Sequence, residues 1–462
     1  MTRTLRVAIV GAGPAGIYAG NILRTECERR GLAVTIDLLE ALPAPYGLIR
    51  YGVAPDHPRI KGIVDSLHEM LDEGTIRLFG NVTLGADVTV DELRAAYHAV
   101  IIATGAARDA RMRLPGIELP GSFGAADFVS WYDGHPDRER DWPLDARSVA
   151  VLGNGNVALD VARVLVKHPH EMLHTDIPDT VLDRFGASPV TDVHVFGRRG
   201  PAQIKFTPIE LRELGEMDDV DIVLDERDFE LAAADPEWNA PRNNQLKIMQ
   251  RILNGWRESG AAHTASRRLH LHFWHEPAEI LGGTAVEAIR FHRTRPTGDG
   301  SVERTGETIG YPVQAVYRAT GYTGSPLPGL PFDSEAGVIP NRAGRVTGTA
   351  GEHLPQLYVT GWIKRGPVGL IGHTKSDAQE TIAMLLDDAA ALPEPAGSDD
   401  AGIESLLRSR GVHYVDWSGW LAIDAHERAL GAAHPAAVER ERVKVVPRDE
   451  QVQIGRSRAL TR

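Results

Sequence analysis

Short apolar runs that stop at glycine recur along this chain. The first, Leu5-Arg-Val-Ala-Ile-Val10, passes directly into Gly11-Ala-Gly13-Pro-Ala15-Gly16 and then into the small-residue stretch Ile17 to Arg24. An apolar strand, a glycine turn and a helix in that order open a βαβ unit. Val34-Thr-Ile-Asp-Leu-Leu39 predicts a second strand that ends at Glu40. The same order returns at Ser148-Val-Ala-Val-Leu152, Gly153-Asn154-Gly155-Asn156-Val157-Ala158 and a helix expected from Val157 to about Val166. Here the following strand, Asp192-Val-His-Val-Phe196, ends at Gly197-Arg198-Arg199-Gly200. Two more apolar runs, Ala99 to Gly105 and Ala315 to Gly321, each close on Ala-Thr-Gly. A last one, Leu357-Tyr-Val-Thr-Gly361-Trp362, leads through Gly366-Pro-Val-Gly369-Leu370-Ile371-Gly372 into a helix expected from about Ser376 to Leu386. Pro393 to Ser398 reads as a linker, and the tail beyond it shows helical patches at Ile403 to Arg408 and Trp417 to Leu430.

This grammar predicts an α/β fold with two Rossmann-like dinucleotide-binding domains, one inserted in the other. Residues 1–107 and 320–462 would form the first domain and residues 108–319 the second. The length, 462 residues, is enough for two or three cores. Hydrophobic residues at 42% and charged residues at 24% are ordinary for a globular protein. No apolar run approaches the roughly 20 residues of a membrane-spanning helix. The strand pattern beginning at Leu5 leaves no room for a secretory signal. Cys27 is the one cysteine, which excludes an internal disulfide, a chain-borne iron–sulfur cluster and a dithiol relay, and suits a reducing cytoplasm. The net charge of −13 argues against bulk nucleic-acid binding.

A Gly-x-Gly-x-x-Gly turn lets backbone N–H groups and a helix N-terminus approach a pyrophosphate. Gly11, Gly13 and Gly16 supply the first such turn, and a carboxylate at Glu40 can accept hydrogen bonds from a ribose diol while repelling a 2′-phosphate. That site suits FAD or NAD. In the second turn Ala158 takes the third glycine position, and Arg198-Arg199 stands where the first unit has Glu40. Two guanidiniums there would pair with a 2′-phosphate. The spacing is longer than usual, so Lys167 to Thr191 must form an insertion. One loop rejecting and one attracting a 2′-phosphate implies FAD together with NADPH, in which the nicotinamide passes hydride to the flavin.

Longer runs add to this pattern. Pro45-Tyr-Gly-Leu48-Ile-Arg-Tyr-Gly-Val-Ala-Pro-Asp-His57-Pro, Gly80-Asn-Val82, Glu210-Leu-Arg-Glu213-Leu and Gly361-Trp362-Ile-Lys-Arg-Gly-Pro-Val-Gly369-Leu370-Ile371-Gly372, with both glycine loops, make the chain resemble the adrenodoxin reductase family, including its actinobacterial ferredoxin–NADP(+) reductases. The likeness extends to about residue 390. It implies a glutathione-reductase-type fold. It implies FAD held by Ala15, Glu40, Leu48, Val82, Trp362 and the backbone of Gly369, Leu370 and Ile371. NADP would be held by Asn154, Gly155, Asn156, Val157, Arg198, Arg199, Glu210 and Gly369. His57 and Glu213 would lie near the nicotinamide–flavin contact, as a pair that can hold a proton. The implied activity is NADPH oxidation with single-electron delivery to an acidic iron–sulfur ferredoxin, feeding a cytochrome P450.

Other residues carry weaker signals. Glu210 and Glu213 share a helix face if Pro208 starts that helix. His270 and His272 alternate along a strand, His275 follows, and His170 and His174 have helical spacing. No cysteine or neighbouring carboxylate completes a metal site in sequence, so none is expected. Arg242, Lys247, Arg251, Arg257, Arg267 and Arg268 form a basic segment in an acidic chain. Its ordinary meaning is a solvated helix face; its functional meaning would be a docking face for an acidic ferredoxin, extended by Arg212, Lys364 and Arg365. The rival readings are a non-catalytic NADP-binding sensor and an NADPH-dependent flavoprotein with another electron acceptor.

Overall fold

The computed structural model describes residues 3–259, 264–368, 371–396, 402–435 and 438–457. The chain divides into two compact units. One holds residues 1–108, 133–137 and 322–462; the other holds residues 109–132 and 138–321.

The first unit is built on a seven-stranded sheet. Its order is Asn341–Arg342, Arg345–Thr347, His353–Val359, Ala99–Ile102, Thr4–Val10, Ala33–Glu40, Ile76–Gly80. The last five run parallel, with Val7 opposite both Ala99 and Ile36. A parallel sheet is buried on both faces, which is why its strands read as continuous apolar runs. Leu5, Val7 and Ile9 pack on one side with the helices Pro14–Arg29 and Ile371–Asp388. Ala8 and Val10 face a second core with Leu93, Val359 and Ile363. The helix expected from Ser376 begins earlier, at Ile371; the expectation fell short because Gly372, His373 and Lys375 give its first turn no apolar period.

The tail is part of this unit. Val415 exchanges backbone hydrogen bonds with Gly80 (2.7 and 2.9 Å). Arg50, buried, makes a double contact with the buried Glu427 of the helix Trp417–Ala432 (2.5 and 3.0 Å). Lys444 donates to the carbonyls of Arg50 (2.8 Å) and Asp133 (3.0 Å). Arg448 grips Asp137 through two bonds of 2.8 and 2.7 Å. Residues 133–137 thus belong with a tail some three hundred positions away.

The second unit carries a six-stranded parallel sheet in the order Ser122–Gly124, Ala315–Arg318, Ser148–Leu152, Asp192–Phe196, Arg267–His272, Val220–Leu224. An antiparallel three-stranded sheet, His275–Leu281, Ala288–Pro296 and Val302–Pro312, packs Ile280, Ile289 and Phe291 against Ala150, Leu152 and Phe196. The insertion between the second glycine loop and the arginine pair contains the helix Asp179–Ala187. His170 and His174 do not share a helix face. A 3-10 turn, Pro169–Met172, holds only His170, whose ring lies beside that of His168 instead.

Candidate dinucleotide sites

In both units the glycine loop follows a strand from which the chain turns first to one side and later returns on the other: Ala33–Glu40 and then Ala99–Ile102 flank Thr4–Val10, and Asp192–Phe196 and then Ala315–Arg318 flank Ser148–Leu152. That is where ligands sit in open α/β sheets. Gly11 adopts φ +110°, and a Cβ there would lie 2.5 Å from the Ala103 carbonyl oxygen. A Cβ on Gly16 would lie 1.9 Å from the Gly11 oxygen. Gly13 stands at the N-cap of the helix Pro14–Arg29, where a Cβ would meet nothing closer than Gly47 Cα at 4.0 Å. Two glycines therefore make the turn, and the third leaves open ground before the helix N-terminus, as a pyrophosphate requires.

The expected residues of the first site gather around this loop. Glu40 accepts hydrogen bonds from the N–H groups of Ala12 (2.7 Å) and Leu42 (3.1 Å), which fastens its carboxylate to the loop. Burial pushes that carboxyl group above its ordinary value, against the pull of those N–H groups. The buried Val82 donates its N–H to the Glu40 carbonyl (2.8 Å). Tyr46 donates to the Ala12 carbonyl (2.8 Å), and Gly47 at φ +52° then starts the short helix that Leu48 opens. Gly361, at φ +78°, brings the chain so near Ala15 that a Cβ would lie 2.6 Å from the alanine methyl. Trp362 follows it, with Tyr322 lying nearly parallel at 6.3 Å. Asp377 holds this corner by accepting from the Gly361 N–H (2.5 Å) and the Thr360 hydroxyl (3.0 Å). Sequence reasoning missed Asp377, which carries no local motif. Gly369 and Leu370 lie outside the described residues; Ile371 begins the helix Ile371–Asp388. His57 is 7% exposed and caps the short helix Pro58–Lys61 with its carbonyl.

The second unit repeats the plan with other chemistry. A Cβ on Gly153 would lie 2.4 Å from the Ala319 oxygen, whereas one on Gly155 would meet nothing within 4 Å. Asn154 approaches Gly197, at the start of the arginine corner. Asn156 Oδ1 is buried with no hydrogen-bond partner. Val157 follows it in the first turn of the helix Asn156–Val166. Arg198 and Arg199 are exposed.

Their backbone is clamped from residues that sequence reading did not single out for this task. Gly197 donates to the His272 carbonyl (2.8 Å) and accepts from the His275 N–H (2.9 Å). Trp274 donates its N–H to the Arg199 carbonyl (3.2 Å), and Thr294 donates its hydroxyl to the Arg198 carbonyl (2.8 Å). Gly200 lies so close under the Trp274 indole that a Cβ would come within 2.0 Å of it.

Glu210 and Glu213 lie on the helix Pro208–Leu214. Glu210, 7% exposed, accepts from the Thr207 N–H (2.7 Å) in a capping box that Thr207-x-x-Glu210 could have announced. Its carboxylate is not part of a solvated face. Glu213 is half-buried and belongs to the second unit, whereas His57 belongs to the first.

The proposed basic face is smaller than its sequence suggests. Lys364 is 7% exposed, bound to Asp377 (2.9 Å) and Glu380 (2.5 Å), so it cannot meet a partner. Arg257 is held by Glu226, Arg242 by Glu237, Arg268 by Asp192, and Arg267 by the carbonyls of Val166 and Lys167. Lys247 and Arg251 stand exposed one turn apart on the helix Asn244–Glu258.

Two Rossmann-like units with these loops define a pyridine-nucleotide oxidoreductase of α/β class. A family model described as pyridine nucleotide-disulphide oxidoreductase matches residues 5–193. The NADPH-ferredoxin reductase FprA of Mycobacterium tuberculosis is 41% identical, over 98% of this chain and 99% of its own. The mitochondrial NADPH:adrenodoxin oxidoreductase of Homo sapiens is 39% identical, over 93% of this chain and 88% of its own. The solved structure of Mycobacterium tuberculosis FprA in complex with NADPH superposes with a TM-score of 0.89 at 40% identity, covering 98% of this chain and all of that one. The chain belongs to the family of NADPH-ferredoxin and NADPH:adrenodoxin reductases.

Proposed function

We propose that this chain is an FAD-containing NADPH:ferredoxin oxidoreductase. The observation that carries the reading is the opposed chemistry of its two loops: Glu40 is tied by its carboxylate to one, and Arg198 and Arg199 stand exposed beside the other. Bound FAD supplies the means to accept hydride from NADPH and release electrons singly. The chain's own residues bind and orient. Ala15, Glu40, Leu48, Val82 and Trp362 surround the FAD loop, with the segment Gly369 to Ile371 assigned to it by family likeness. Asn154 to Val157 present the second helix N-terminus, where the Asn156 oxygen has no hydrogen-bond partner of the chain's own. Arg198 and Arg199 select the 2′-phosphate through charge-assisted hydrogen bonds. Glu210 fixes the helix that carries Glu213. His57 can hold a proton on its imidazole where negative charge develops, and Glu213 serves the nicotinamide end; neither is needed as a base, because hydride transfer needs none.

Lys247 and Arg251, with the exposed Arg212, form the face that receives the acceptor, an acidic iron–sulfur ferredoxin. That ferredoxin then serves a cytochrome P450. A single cysteine suits a reducing cytoplasm. Among the described residues no helix is long and apolar enough to cross a membrane.

Anaerobic mixing with NADPH and then NADH, followed at the flavin band, tests the reading; ferredoxin and cytochrome c are added afterwards. Rapid bleaching by NADPH and ferredoxin-dependent cytochrome reduction are expected. A colourless protein that still binds NADPH would make it a nucleotide sensor, and bleaching without transfer to ferredoxin would point to another acceptor.

A further inference from the structure

Three histidines converge on one face of the second unit's sheet. Parallel pairing of Asp192–Phe196 with Arg267–His272 places His194 directly opposite His270, and the two-residue period of a strand puts His272 on the same side. One coordinating nitrogen of each ring lies within 4.8 Å of the other two. His194 Nδ1 and His272 Nε2 are 3.0 Å apart. Two nitrogens bound to one tetrahedral ion at 2.0–2.1 Å stand about 3.3 Å apart, so this pair needs only a small expansion. His272 is 9% exposed, and its Nδ1 is buried with no hydrogen-bond partner. That nitrogen is the distal one; the ion would be bound through Nε2, the atom that now meets His194.

The surroundings resemble the outer shell of a metal centre. Asp192 Oδ1 lies 2.9 Å from His270 Nε2, and Arg268 holds the same carboxylate at 2.7 and 2.9 Å. A carboxylate on the distal nitrogen fixes the tautomer of a metal-binding imidazole and raises its basicity. His270 would then ligate through Nδ1. It lies stacked on His194 at 4.1 Å, 17° from parallel, so its ring must turn out of the stack to close on the ion. Tyr311 covers the group, 4.9 Å from the His272 ring. The strand order explains why sequence alone reads no site here: His194 and Asp192 are 76 or more positions from His270 and His272.

We propose that His194, His270 and His272 form a site for one divalent transition-metal ion of the zinc class, with Asp192 as the carboxylate that orients His270. Imidazole ligands suit Zn²⁺, Co²⁺, Ni²⁺ and Cu²⁺, whereas Mg²⁺ and Ca²⁺ require oxygen donors. The site is separate from both dinucleotide loops. Ligation would tie together the two strands whose ends hold the arginine corner, through the bond from Gly197 to the His272 carbonyl (2.8 Å).

The full-length protein, stripped with chelator and dialysed, is titrated with Co²⁺ and then Zn²⁺. One equivalent of Co²⁺ should give visible d–d absorption of four-coordinate intensity, which Zn²⁺ abolishes by displacement. His194→Gln and His272→Gln should remove the spectrum; Asp192→Asn should weaken binding about 10–100-fold. His170→Gln should leave it unchanged. Retained NADPH binding, proposed above for the same unit, and an unchanged far-ultraviolet circular dichroism spectrum show that each variant is folded, and X-ray absorption at the zinc edge of the unaltered protein gives an independent count of imidazole ligands. Absence of a d–d band, six-coordinate weak absorption, or a spectrum that survives both His194→Gln and His272→Gln would overturn the proposal.

Discussion

Lowering the pH from 7 to 5 in the presence of chelator should destabilise the second unit, and the buried histidines set the amount. Burial among other cationic groups brings His194 and His275 each down to about 3. His275 is held neutral by geometry as well: Nδ1 donates to the Phe273 carbonyl (2.5 Å), Nε2 accepts from the Tyr311 hydroxyl (2.9 Å), and Arg293 stands against the ring. In the unfolded chain both would titrate near 6.5. A depressed base gives stability that is present above its unfolded value and is lost as the pH falls below it. Between pH 7 and 5 each histidine should therefore cost the fold about 2 kcal/mol, or roughly 4 kcal/mol for the two. Asp228 acts in the opposite direction. Burial raises its carboxyl to about 6 despite the Arg293 contact, so the folded state takes up a proton first as the pH falls. That returns about 1 kcal/mol over the same interval. The net loss from these three groups is about 3 kcal/mol; His272, held well below its ordinary value by burial, adds to it, and Asp109, raised by burial, opposes it. Urea unfolding at pH 7, 6 and 5, followed by far-ultraviolet circular dichroism, measures the change. His194→Val should remove about 2 kcal/mol of the pH dependence. Stability that stays level or rises towards pH 5, or a pH slope that His194→Val leaves intact, would refute the reasoning.

The other expectations concern coenzyme, partner and core. Replacing both Arg198 and Arg199 by Ala should lower the ratio of kcat/KM for NADPH over NADH by about 10-fold or more, since a hydrogen bond to a charged group is worth about 1.5–3 kcal/mol; an unchanged ratio would place the 2′-phosphate elsewhere. Thr294→Val removes the bond to the Arg198 carbonyl and should lower kcat/KM for NADPH about 5-fold with little change for NADH, while Thr294→Ser restores it; equal effects on both coenzymes would deny Thr294 a positioning role. Lys247→Glu with Arg251→Glu should raise KM for ferredoxin, most strongly at low salt, and leave ferricyanide reduction alone; the same rise for both acceptors would remove this helix from the docking face. Glu427→Gln leaves Arg50 charged and buried, so thermal and urea unfolding should show a loss of about 3–5 kcal/mol; a loss under 1 kcal/mol would mean that water reaches the pair.

The two glycine loops, their strands and the acid-versus-arginine contrast were legible because each rests on contiguous residues. A strand, a turn that only glycine can make and a helix are local, and Gly11 at φ +110° shows why no other residue serves there. Two helices of the tail, Gly402–Ser409 and Trp417–Ala432, were also legible, whereas Arg448–Ser457 was not. Where those helices pack was not, because the partners of Glu427 and Lys444 lie at Arg50 and Asp133, brought near only by folding. Lys364 looked like a surface cation because charge is visible in a sequence and burial is not; its ion partners lie one helix away. The clamp of Trp274 and Thr294 on the arginine corner, and the meeting of His194 with His270 and His272, depend on strand register. Register here is the pairing of Asp192–Phe196 with Arg267–His272, strands far apart in the chain, so the linear order that specified the coenzyme loops could not bring those side chains together.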